Sequence, residues 1–156
     1  MDRDIGFTRA AVALSLTALL LGGCQQKPKI EQCWAQDTKQ TAGALAQKAA
    51  LGQLLEMTKS SWPAGKPFGD DERNFITQHF QFSLDSYYTI GADPVVGSYS
   101  CGATAKAAFT DADGKRHESR EGLIDFNIYQ SEGGHVVSID TSKIPPFLAS
   151  LNEQMN

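Results

Sequence analysis

Phe80-Gln81-Phe82-Ser83-Leu84-Asp85-Ser86-Tyr87-Tyr88-Thr89-Ile90 is the stretch that decides the fold. Phe80, Phe82, Leu84, Tyr88 and Ile90 alternate with Gln81, Ser83, Asp85, Tyr87 and Thr89. This period of two belongs to a strand with one face buried and one wet. On this pattern Tyr87 falls with the polar residues, on the exposed face. Gly91 to Gly97, with Pro94, breaks the strand, and Tyr99, Cys101, Ala103, Ala105, Ala107 and Phe109 then share a face opposite Ser100, Gly102, Thr104 and Lys106. Small side chains there leave room for a helix. Asp111-Ala112-Asp113-Gly114 is turn chemistry. Leu123 to Tyr129 sets Ile124, Phe126 and Ile128 on one side, Gly133-Gly134 closes a hairpin, and Val137 and Ile139 finish the last strand.

Upstream, Ile30 to Lys59 contains no proline and is rich in alanine, with Leu45, Leu51, Leu54, Leu55 and Met57 near helical spacing. This segment is expected to be one long helix, bent or closely approached at Gly43 or Gly52. Trp62-Pro63-Ala64-Gly65-Lys66-Pro67-Phe68-Gly69 ends it in a loop, and Asp70 and Asp71 can cap a short helical turn before the first strand. After Ile144-Pro145-Pro146, the residues Phe147, Leu148, Leu151 and Met155 suggest a short docking helix. The expected fold is therefore α+β, one long helix packed on a four-stranded antiparallel sheet. In order of elements it is similar to cystatin-like and NTF2-like architectures, which host many unrelated functions.

The chain begins differently. Ala10 to Leu21 (AAVALSLTALLL) is too short to span a bilayer but has the length of a secretory h-region. Leu21-Gly22-Gly23-Cys24 follows, then Gln25-Gln26-Lys27. This arrangement resembles the lipobox of bacterial lipoproteins. The resemblance implies that Cys24 receives diacylglycerol, that residues 1–23 are cleaved as a signal peptide, and that the new amine is acylated, as with palmitate. Two or more acyl chains hold a protein stably, at ~0.8 kcal/mol per buried methylene. Gln25 directly after the cysteine implies the outer membrane, with the protein facing the periplasm. An ordinary signal peptide cleaved nearby, or an uncleaved anchor, is the competing reading. Residues 24–29, polar and with Pro28, read as a lipidated tether, and residues 30–156 as one domain.

With Cys24 committed to lipid, two cysteines remain in an oxidising compartment, and Cys33 and Cys101 are expected to pair. Buried free thiols are the alternative. A redox pair is disfavoured by the absence of Cys-x-x-Cys spacing.

The net charge is −4, and the two arginines and two aspartates within residues 1–23 leave that balance unchanged. No basic block follows a phosphate backbone, so nucleic acid is not an expected partner. The lipid is the one evident membrane contact. No cofactor and no catalytic site are expected. His79, His117 and His135 lack metal-ligand spacing, His117-Glu118 is not continued to a second histidine, and there is no Gly-x-Ser-x-Gly or phosphate-cradling loop. What remains is a lipid-anchored interaction module, an adaptor, inhibitor or envelope-assembly factor meeting a periplasmic or envelope protein. The alternative is a small-ligand carrier with a pocket between helix and curved sheet. Trp62, Phe68 and Tyr87 are the candidate contact residues, since aromatics in polar surroundings anchor interfaces. The competing reading folds Trp62 and Phe68 back over the end of the core.

Overall fold

The structure, a computed structural model, describes residues 30–155. Cys24, its signal segment and the tether lie outside the described residues. A 3-10 turn, Ile30–Trp34, precedes helix α1 (Gln36–Ser61); helix α2 (Asp70–His79) leads into strand β1 (Phe80–Asp93). Strands β2 (Ser98–Thr110), β3 (Arg116–Glu118), β4 (Gly122–Ser131) and β5 (Gly134–Ile139) follow, and helix α3 (Pro145–Met155) closes the chain. The class is α+β, as expected, but the antiparallel sheet has five strands rather than four.

The order is β1-β2-β4-β5, with β3 paired to the end of β2. β4 faces Ser98–Ala105 of β2 and β3 faces Ala108–Thr110. Between them Ser119 fills the gap, its amide donating to the Ala107 carbonyl at 2.8 Å and its Oγ accepting the Ala107 amide at 2.9 Å. β3 and β4 thus behave as one interrupted strand. Three residues are too few to show a period, which is why the fifth strand is invisible in the sequence.

The α-helix starts six residues later than expected, because Cys33 and its neighbours wind as a tighter 3-10 turn. It ends at Trp62, which the following Pro63 forces into extended backbone. Its buried residues are Thr38, Ala42, Ala46 and Ala50, one per turn and a little more, and not the leucines: Leu45 and Met57 are exposed, while Leu51, Leu54 and Leu55 are half-buried. An i, i+4 ridge of alanines brings the helix backbone close to β1 and β5. Neither Gly43 nor Gly52 marks a close approach, since a Cβ at either would meet nothing within 4 Å.

Two bulges correct the reading of β1. Asp85 faces Thr104 and Tyr88 faces Gly102, so Ser86 and Tyr87 together oppose Ala103. Ser86 takes a φ of 48°, and the extra residue reverses which side chains face the core. Tyr87, expected on the exposed face, turns inward against Phe126 (ring centroids 6.0 Å apart), with its hydroxyl donating to the Lys39 carbonyl at 3.4 Å. Tyr88, expected in the core, lies on the opposite face over Gly102. A second irregularity between Thr89 and Gly91 leaves Ile90 exposed. The expected face of β2 holds: Tyr99, Cys101, Ala103, Ala105 and Ala107 are buried, with Phe109 half-buried.

Cys33 and Cys101 form a disulfide, joining the 3-10 turn to β2. Helix α2 is longer than the single turn expected, and Glu72 accepts the Gly69 amide at 2.9 Å at its start. Helix α3 docks as expected through Phe147, Leu148 and Leu151, and Phe147 meets Phe82 edge-on. No described helix is long and apolar enough to cross a membrane.

Candidate functional site

The three aromatic candidates do not form one surface. Tyr87 bonds to Lys39, near the start of α1, whereas Trp62 ends that helix. A helix of 26 residues is ~39 Å long at ~1.5 Å per residue. Burial, reinforced by the nearby Asp85 carboxylate, pushes the Tyr87 hydroxyl pKa upward, so this ring is a neutral part of the core.

Trp62 and Phe68 do meet, edge to face, with centroids 5.3 Å apart. Pro63 and Pro67 shape the loop between them, and the Arg73 guanidinium stands 5.9 Å from the Phe68 ring centre, a cation–π distance. Both rings are half-buried. Phe68 packs against the core, and Trp62, set against Phe68, lines a cavity there. The indole N–H of Trp62 is buried and finds no acceptor among the described residues.

That cavity, about 570 Å³, opens between the last turns of α1, helix α2 and the end of α3. Leu54, Phe75, Ile76, Phe109, Leu151 and Met155 make it apolar. The i, i+4 step from Leu151 to Met155 puts both on one side of α3. Asp71 and Glu72, in the first turn of α2, bring two carboxylates to it, and no lysine or arginine is among its described lining residues. Met155 is 38% exposed, an apolar side chain that the chain leaves partly uncovered. Sequence patterning had no means of locating this groove, because its walls come from three helices separated by up to a hundred residues. Two other depressions, beside Leu123 and beside Gly52, are wider and shallower.

The remaining polar groups serve the fold. His117 is buried with Nδ1 2.9 Å from the Gln154 carbonyl oxygen and Nε2 2.9 Å from an Asp111 carboxylate oxygen, tying α3 to the turn before β3. His79 stacks on Phe75 at the end of α2, and His135 lies 3.3 Å from Asp37. On the open face of the sheet Glu118 pairs with Lys106 at 2.6 Å and with Arg116 at 2.9 Å. Its carboxyl is held below the usual range by hydrogen bonds from Lys106 and then Arg116. Asp125 bonds Lys143, and Ser100 donates to Asn127 at 2.9 Å. Ser83, Asp85 and Ser100 are exposed on this face as expected, with Thr104 and Lys106 half-buried, while Tyr88 takes the place expected for Tyr87.

No protein-family model, no curated protein and no solved structure matches this chain.

Proposed function

We propose that this chain is a lipid-anchored envelope lipoprotein that acts as a protein-interaction module, held in the outer membrane through Cys24 and facing the periplasm. Its contact site is the groove at the C-terminal end of α1. The observation that carries the reading is the groove itself, three helices leaving apolar side chains around an open cavity that Trp62 also lines. Apolar centres with aromatic and charged borders are how protein interfaces are built. The finer fold class belongs to the same reading: a long helix lying along the two edge strands of an antiparallel sheet is consistent with the cystatin-like or NTF2-like arrangement.

The described residues begin beside the N-terminal end of α1, and the groove lies at its other end. Residues 24–29 span at most ~21 Å when extended, less than the ~39 Å of the helix, so in this reading the groove is at the end of α1 farther from the lipid. Labelling with a fatty-acid analogue tests the anchor: incorporation is expected in the natural chain and lost in Cys24→Ala, and equal incorporation in both overturns it. A photo-crosslinking residue in place of Met155, in detergent-solubilised envelope, tests the site. Adducts are expected there and not from the same residue at Leu123 on the open sheet face. Equal labelling at both positions, or none at 155, overturns the assignment.

The small-ligand carrier is a second reading with an observation of its own. The groove falls within the ~300 to 1,000 Å³ of small-molecule sites, and the unpaired Trp62 N–H supplies one donor. A small molecule retained through purification and detected by native mass spectrometry, absent from Met155→Asp, would favour the carrier.

A further inference from the structure

We infer that the occupant of the groove is a basic amphipathic helix of a partner protein, apolar along one face and carrying lysine or arginine beside it. The inference rests on the reading of the groove as an interaction site and names the chemistry of what enters. Three features select this occupant.

The first is shape. Three helices and the end of one strand wall it, and the apolar residues come from each of them: Leu54 from α1, Phe75 and Ile76 from α2, Leu151 and Met155 from α3, and Phe109 from β2. A trough of this kind accepts side chains projecting from one stripe of an incoming helix.

The second is charge. Asp71 and Glu72 line the groove and no described cation lines it. Arg73, next in sequence, is placed over the Phe68 ring rather than over these carboxylates. Glu72 has one partner, the Gly69 amide, and Asp70 and Asp71 are exposed on the first turn. An acidic apolar partner would meet repulsion here; a basic one is steered in and oriented.

The third is the buried indole N–H of Trp62, which has no acceptor among the described residues. A lysine or arginine cannot supply one, whereas the last turn of an incoming helix has carbonyl oxygens free of intrahelical partners that can accept it. A purely hydrocarbon occupant would leave that donor unpaired.

The chain's own tether is excluded as the occupant by its reach, as above. The test uses the full-length chain carrying Cys24→Ala and two synthetic probes: an amphipathic helix of leucine and lysine, and its twin with glutamate for lysine. Binding is followed by anisotropy of a labelled probe. The lysine probe is expected to bind and the glutamate twin to bind roughly tenfold more weakly at low salt, since the exchange turns attraction at two rim carboxylates into repulsion. The difference should shrink in high salt and in Asp71→Asn, and Met155→Asp should abolish binding of the lysine probe while circular dichroism shows the fold retained. If both probes bind equally and Met155→Asp abolishes both, the groove stands as an interaction site and the basic partner is overturned. If Met155→Asp binds the lysine probe unchanged, or neither probe binds, the groove itself fails as the site. Concentration-dependent dimerisation abolished by Met155→Asp makes the occupant a second copy of this chain and overturns the inference as well.

Discussion

The side chain of Gln47 takes the place of a neighbouring strand beside Phe82. From the middle of α1 its Oε1 accepts the Phe82 amide and its Nε2 donates to the Phe80 carbonyl at 3.3 Å. Among the described strands β1 pairs with β2 alone, and an edge left open invites foreign strands. One carboxamide satisfies two backbone groups there and fixes the helix against the sheet.

Gln47→Ala removes both bonds and leaves a half-buried donor and acceptor unmatched. Denaturant unfolding is expected to report a loss of ~1 to 3 kcal/mol. Gln47→Glu keeps an acceptor for Phe82 and loses the donor to Phe80, so its loss should be at least as large. If Gln47→Ala is as stable as the natural chain, the bracket is ornamental.

Two glycines should respond in opposite directions to alanine. At Gly52 a Cβ meets nothing within 4 Å in the middle of α1, so Gly52→Ala is expected to stabilise by ~0.5 to 1 kcal/mol through helix propensity. At Gly102 a Cβ would stand 2.3 Å from Cζ of Tyr88. Overpacking of that kind costs ~1 to 3 kcal/mol, and Tyr88→Ala in the same chain should recover part of the loss, because the clash then has no partner. Thermal melts of the single and double variants read both signs.

The disulfide closes a sequence separation of 68 residues. Replacing both cysteines with serine is expected to cost ~4 kcal/mol on the chain-entropy account. A non-reduced digest should yield the Cys33 and Cys101 peptides linked; recovery of both alkylated without prior reduction would contradict the pairing.

Asp111 gives a pH dependence with a definite sign. The hydrogen bond from the His117 side chain, then those from the Lys115 and Asp113 amides, hold its carboxyl below the ordinary aspartate range. Its folded pKa is lower than its unfolded one. The stabilisation is therefore complete above the unfolded value of ~3.9 and disappears as pH falls through the depressed folded value. Asp111→Asn should be less stable than the natural chain at neutral pH, with the two converging in acid. A deficit of constant size from neutral to acid pH would assign the loss to packing instead.

The positions of the elements were legible because turn residues and apolar runs are local signals. Asp111 to Gly114, Gly133-Gly134 and the Phe147, Leu148, Leu151 pattern each marked what the structure contains. The phase of β1 beyond Asp85 was not legible. A bulge inserts one residue, and the sequence LDSYYT offers either tyrosine to the core; the choice is made by Tyr88 finding space above Gly102, on another strand. The buried face of α1 was not legible for a related reason. Leucines look like core residues, but where a helix must lie close to a sheet the alanines go inside, and Leu45 is left at the surface. The groove needed three distant segments brought together, and only Trp62 and Phe68 pointed toward it.

The Cys33–Cys101 bond also sets the route by which load would travel through the molecule. A pull applied ahead of Ile30 reaches Cys33 after three residues and crosses by a covalent link to β2, the strand that pairs with β1, β3 and β4. Tension then enters the sheet at its most heavily bonded member and bypasses α1. The helix, with its alanine contact and its bracket at Gln47, is spared from being peeled off the sheet, and the groove at its far end keeps its shape while the other end is under strain.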